Sequence, residues 1–355
     1  MEAALFSPSM SPHYQVHQIL DLTPGDDTLG STPLDHALGE EIYAVGMSIA
    51  AHSVPGSLKA SRSLLVRHGD RYFFFGGGVT PSATLTSFQM QDGRLRAETH
   101  GLALAPRTHF GGCLLGSSYM MHGGAKTIHS FRCDLHDAMN IDVINLDTLT
   151  TERWELGGDY IEPRWGHASC LVDNHTLFIA GGSNGKKKGL RDTFLIDLDR
   201  RESRHFGSLP IPLSHMTACS IDGRVYVFGG VSGLSASRTL YSCPLDGGLW
   251  QATKLTAIPE RYGHVMLRIG RQIIIHGGRN SGGCLSDTWV IDTTKNDCYR
   301  LRISFSSSSS SSASNGIIKG RALSLYAPIG TRGFLVVGGV GEVRLQQDVC
   351  VINFL

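Results

Sequence analysis

Val225–Gly230 reads VYVFGG and Ile273–Gly278 reads IIIHGG, and the fold follows from the fact that this unit recurs. An apolar run closed by a glycine pair occurs at Tyr72–Gly77 (YFFFGG), Tyr119–Gly124 (YMMHGG), Leu177–Gly182 (LFIAGG), Val225–Gly230, Ile273–Gly278 and Phe334–Gly339 (FLVVGG). The doublets are Gly76 and Gly77, Gly123 and Gly124, Gly181 and Gly182, Gly229 and Gly230, Gly277 and Gly278, and Gly338 and Gly339. Their first members stand 47, 58, 48, 48 and 61 residues apart. A regular period near 50 residues marks a repeat architecture, and the two long intervals mark loop insertions.

After most doublets comes a second strand pattern: DTFLIDL from Asp192, DTWVID from Asp287, NIDVINL from Asn140 and DVCVINF from Asp348. A further short strand follows in most units, with Trp154 or Trp250 on it. Before the doublet, two units open with Arg, aromatic, Gly, His: RWGH at Arg164–His167 and RYGH at Arg261–His264. That makes four strands per unit, the content of one propeller blade. The units resemble Kelch repeats. The resemblance implies an all-β, six-bladed propeller in which the tryptophans and His167 and His264 are structural. Glu41–Ala50 (EIYAVGMSIA) is the spare apolar strand, expected to close the last blade, because only Asp348–Phe354 follows Gly339. The propeller is expected over 41–355, with 1–40 outside it and the serine-rich stretch 304–316 a flexible loop.

Composition agrees with one large all-β unit. Gly is 43 of 355 residues, and 41% of the chain is hydrophobic, ample for a core. Lys and Arg total 32 against 31 Asp and Glu, so net charge (+1) points to no general attraction for nucleic acid, although a local basic face is compatible with it. No apolar run reaches membrane-spanning length. The first forty residues lack the basic and apolar regions of a signal peptide, so an intracellular protein is expected, its eight cysteines small buried hydrophobes. His129, Cys133 and His136 lie within eight residues and are the sole candidate for zinc; a polar loop is the plainer reading, and no metal or cofactor is expected.

No phosphate-binding glycine loop, nucleophile elbow or HExxH pair is present, and each glycine doublet leads into a strand rather than a helix, so no active site is expected. A closer resemblance rests on Tyr72–Gly76 (YFFFG), Tyr119–Thr127 (YMMHGGAKT), Glu162–His167 (EPRWGH), Phe194–Asp197 (FLID) and Val225–Leu240 (VYVFGGVSGLSASRTL). In order and spacing these resemble the second recombination-activating subunit of the V(D)J recombinase, and in particular its transposon-encoded relatives without the plant-homeodomain finger. The resemblance implies a nuclear, non-catalytic accessory subunit. It would bind a catalytic transposase subunit, two copies of each, and assist DNA binding and cleavage at terminal inverted repeats. The loop Gly78–Ala83 (GVTPSA) lacks that family's basic residues. The candidate DNA- or partner-binding residues are Lys186, Lys187, Lys188, Arg191 and Arg238, placed in loops on one face of the ring. The alternative is a Kelch adaptor presenting a substrate to a ubiquitin ligase or the cytoskeleton.

Overall fold

The computed structural model describes residues 43–49, 62–78, 81–91, 94–129, 132–186, 189–295, 297–305, 320–329, 333–342 and 349–354. Among them there are strands and turns and no helix. Four antiparallel sheets follow the chain in order. The first is Leu65–His68, Arg71–Phe75, Thr84–Gln91 and Arg94–Gly101; the second is Gly111–Leu115, Ser118–His122, Asn140–Asn145 and Thr151–Glu155. The third is Ala168–Leu171, Thr176–Ser183, Gly189–Asp197 and Glu202–Ser208, edged by Gly157–Gly158; the fourth is Thr217–Ile221, Arg224–Phe228, Thr239–Pro244 and Gln251–Lys254.

A fifth sheet has eight strands. It runs Val265–Ile269, Gln272–His276, Thr288–Asp292 and Asp297–Phe305, crosses Tyr43–Ile49, and continues through Val349–Phe354, Gly333–Val337 and Leu325–Ile329. Tyr43–Ile49 lies parallel to Asp297–Phe305 and antiparallel to Val349–Phe354, with Met47 opposite Val351. Ser304 and Phe305 are the end of a strand rather than part of the serine-rich loop; the rest of that loop, and residues 1–40, lie outside the described residues.

The core lies between sheets. Phe73, Phe75 and Leu85 of the first sheet pack on Tyr119, Met121 and Ile144 of the second. Met120, Ile141 and Val143 face Leu177, Ile179 and Phe194 of the third, and Phe178 and Leu195 face Val225, Val227 and Tyr241 of the fourth. Each fully buried side chain of this size contributes about 1.5–3 kcal/mol, and the second, third and fourth sheets are stabilised from both faces, as the strictly apolar runs before their doublets require. Trp154 and Trp250 join these intersheet clusters, in agreement with a structural role.

The doublets link neighbours. The amide of the second glycine donates to a carbonyl ahead of the next sheet: Gly77 to Arg107, Gly124 to Arg164, Gly182 to Leu213, Gly230 to Arg261 and Gly278 to Arg321, all at 2.8–2.9 Å. The first glycine must be small for the same reason. At Gly229, with φ +66°, a Cβ would lie 2.6 Å from the Arg261 carbonyl oxygen. Around the centre runs a closed circle of backbone hydrogen bonds: His109 to Arg62, Gly166 to His109, His215 to Gly166, Gly263 to His215, Leu323 to Gly263, and Arg62 to Leu323, at 2.6–2.9 Å. All six residues have φ between +53° and +61°. Four are not glycine, and the closed circle over-determines their left-handed conformation.

Candidate binding face

In an antiparallel sheet of four strands, the loop from second to third strand and the connection to the next sheet emerge at the same end. The doublets and the circle of left-handed residues are therefore at one end of the molecule. Beneath its centre four arginines are fully buried. Arg164 donates to the Gly181 carbonyl (3.0 Å) and makes a two-pronged pair with Asp192 (3.0 and 2.9 Å); Arg261 does the same with Gly277 (2.8 Å) and Asp287 (2.8 and 2.9 Å). Arg107 bonds the Gly123 carbonyl, Asp142 and His136, and Arg321 bonds the Gly338 carbonyl. Burial raises the Asp287 carboxyl, but the Arg261 bonds outweigh it and hold it below the ordinary carboxylate range. These clasps tie four of the six doublets to the start of their own sheets, and Asp142, Asp192 and Asp287 offset the charges of Arg107, Arg164 and Arg261.

His167 and His264 are buried beside the clasps. His264 Nε2 meets Thr217 Oγ1 at 2.7 Å, and burial, with Arg261 nearby, brings its imidazole down to about 3. His136 sits between Arg107 and the Pro106 carbonyl (3.0 Å), lowered by burial and by Arg107 to about 4. The side chains of His129 and Cys133 lie outside the described residues. Burial pushes the thiols of Cys113 and Cys219 up to about 12 and raises Cys170, so these cysteines are poor nucleophiles.

At the centre of the loop end a cavity of about 490 Å³ is lined by Arg62, His109, Trp165, His215, Tyr262 and Arg279 together with Ala322, Leu323 and Val340. Its rings meet edge to face: His109 to Trp165 at 4.9 Å, and His215 to His109 and to Trp165 at 5.3 Å. The sequence reading missed this site. Its signal is the third position of the leading tetrapeptides, Gly in RWGH and RYGH but His109, His215 and Leu323 in RTHF, LSHM and RALS. At the same end are the exposed side chains of Tyr160, Ile211 and Leu234.

The basic residues read from the sequence are spread out. Lys186 is exposed in a turn where its amide bonds Asn184 Oδ1; Lys187 and Lys188 lie outside the described residues. Arg191 is not in the loop, as expected, but in the strand Gly189–Asp197, because pairing begins at Ser183–Gly189. Its carbonyl accepts from Leu209 as that of Arg238 accepts from Leu255, so the two occupy matching places in adjacent sheets. Arg238 leans on the Thr256 carbonyl (3.4 Å) and on Glu260 (3.9 Å), which offsets its charge.

The family profile for the KLHDC2/KLHL20/DRC7 Kelch-repeats domain matches residues 116–327, more than half of the chain. The chain belongs to the Kelch-repeat family. The Kelch ring is similar to Adagio-like protein 1 of Oryza sativa subsp. japonica, 30% identical over 58% of this chain and 34% of that protein. Adagio protein 3 of Arabidopsis thaliana is 24% identical over 78% of this chain and 47% of its own length, and the leucine-zipper-like transcriptional regulator 1 homolog of Drosophila melanogaster 27% over 62% and 24%. The chain thus spans less than half the length of these relatives. The solved structure of YjhT superposes with a TM-score of 0.65 at 11% identity, covering 84% of this chain and 95% of that one, a likeness of fold alone.

Proposed function

We propose that this Kelch ring is a non-catalytic protein-binding module of the adaptor or scaffold kind, whose partner docks on the loop end around the central cavity. The observation that carries this reading is the distribution of exposed large apolar side chains. Tyr160, Ile211 and Leu234 are at the loop end, and Leu249, between the third and fourth strands of its sheet, is at the other. Rings of this kind recur within the much longer Adagio proteins and a leucine-zipper-like transcriptional regulator, which supports a module that recognises rather than reacts. None of the relatives named above is a recombinase, so the adaptor reading takes precedence over the recombination-activating one. Lys186, Arg191 and Arg238 then supply a basic flank for an acidic patch of the partner.

The docking platform is a six-bladed ring in this reading. The eight-stranded sheet is two blades joined edge to edge, with Tyr43–Ile49 completing the last one beside Val349–Phe354. The six-membered circle of backbone hydrogen bonds supports that count.

The test places a photo-crosslinking residue at position 234 or at position 249 of the full chain in its native cell. One discrete partner is expected at 234, abolished by Ile211→Asp, and none at 249. Capture of the same partner at 249 with equal yield would place docking at the other end.

A further inference from the structure

Two side chains that line the central cavity carry hydrogen-bond donors that the protein does not use. Arg62 Nε and Trp165 Nε1 are both shut off from solvent and meet no protein acceptor. A buried donor without an acceptor is costly, and such atoms mark places where a ligand completes the structure. Their surroundings make the deficit one-sided. Among the described residues Arg62 has no carboxylate partner, whereas the other lining cation, Arg279, is 3.7 Å from the half-exposed Glu342. Burial, with Arg62 near, holds His109 well below its ordinary range and brings His215 down to about 4, so both rings are neutral and add hydrogen-bonding nitrogens without needing a counter-ion.

We propose that this cavity is a receptor for a small phosphate monoester, whose dianionic group is held on the axis by Arg62 and the Trp165 indole N–H while the rings of Trp165, His215 and Tyr262 flank its organic part. The arrangement favours a tetrahedral oxyanion over a carboxylate. The candidate donors come from separate places around the circle: Arg62 ahead of the first sheet, His109 ahead of the second, Trp165 ahead of the third and His215 ahead of the fourth. A carboxylate has two oxygens in one plane, whereas a phosphate monoester has three strongly accepting terminal oxygens spread about its axis. The volume of about 490 Å³ is within the range of small-molecule sites. The inference goes beyond partner docking and does not rest on it, since none of the cavity's lining residues is among the apolar residues assigned to the partner.

Titration calorimetry of the full chain with phenyl phosphate, inorganic phosphate and benzoate tests this. Phenyl phosphate is expected to saturate one site, inorganic phosphate to compete for it, and benzoate to bind about tenfold more weakly or less well. Arg62→Gln is expected to lose about tenfold or more in phenyl phosphate affinity with its own melting temperature unchanged, because its guanidinium has no partner to lose among the described residues. Trp165→Phe, which keeps a ring and deletes only the N–H, is expected to weaken binding by a smaller factor, and it carries the test if Arg62→Gln does not fold. The absence of saturable binding, benzoate binding as tightly as the phosphates, or affinity retained in Trp165→Phe and in any folded Arg62→Gln protein would each overturn the assignment.

Discussion

The third and fourth sheets solve the same packing problem in opposite ways. In the third, Arg164 is fully buried and clasped by Asp192, and His167 follows two residues on from Trp165. In the fourth, the residue that receives the second glycine's hydrogen bond is Leu213, fully buried in the apolar cluster with Phe178 and Val225, and Met216 stands where the histidine would be. The place of Asp192, which precedes Thr193 opposite Ala180, is taken by Thr239, which precedes Leu240 opposite Phe228. Arginine and carboxylate are thus exchanged together. A buried ion pair tolerates replacement by apolar packing, but removal of one partner strands the other charge.

The largest expected effect breaks that pairing by halves. Arg164→Leu is expected to destabilise the ring by about 3–5 kcal/mol, read from denaturant unfolding, because it leaves Asp192 facing a buried site. Adding Asp192→Thr, which copies the fourth sheet, is expected to restore most of the loss. Additive losses in the double variant would show that the two sheets are not alternative solutions.

Histidine in place of methionine should make one sheet sensitive to acid. The His264 imidazole is neutral in the fold, lowered to about 3, but protonates in the unfolded chain near its ordinary value of about 6.5. The unfolded state therefore binds more protons between those values, so stability is full above pH 6.5 and falls as pH drops toward 3. His264 contributes up to about 1.4 kcal/mol per pH unit in that window. His264→Met, borrowing the fourth sheet's residue, is expected to give a shallower decline in unfolding midpoint between pH 7 and 5; an unchanged slope would exclude His264 as a source.

At the surface the comparison predicts little. Arg238→Ala removes a half-exposed contact with Glu260 at 3.9 Å, and a change of at most about 1 kcal/mol is expected in the same unfolding assay. A larger loss would mean that Arg238 serves the fold rather than a partner.

What the sequence revealed and what it hid follow from the same physics. The doublets were legible because only glycine fits between a strand end and the next sheet's carbonyl. Glu41–Ala50 was legible as an apolar strand, and Tyr43–Ile49 pairs with Val349–Phe354 and Asp297–Phe305; that it closes a sixth blade belongs to the proposed reading. The clasps were half legible: RWGH and RYGH advertise Arg164 and Arg261, but Arg107 and Arg321 sit in RTHF and RALS, which share only the arginine. The cavity was hidden because its residues come from eight separate stretches and its left-handed positions carry His, Arg and Leu as well as Gly. Arg191 was misplaced because a strand boundary depends on where pairing starts, which no local pattern fixes.

In the proposed reading the docking platform is a ring closed by its N-terminal strand, and thermal unfolding of two truncations tests that most directly. Removal of residues 1–38 leaves Tyr43–Ile49 in place and is expected to leave the melting temperature nearly unchanged. Removal of residues 1–50 deletes the strand between Asp297–Phe305 and Val349–Phe354, exposes two sheet edges, and is expected to lower the melting temperature sharply and to promote aggregation. Equal melting temperatures for the two truncations would contradict a ring closed in this way.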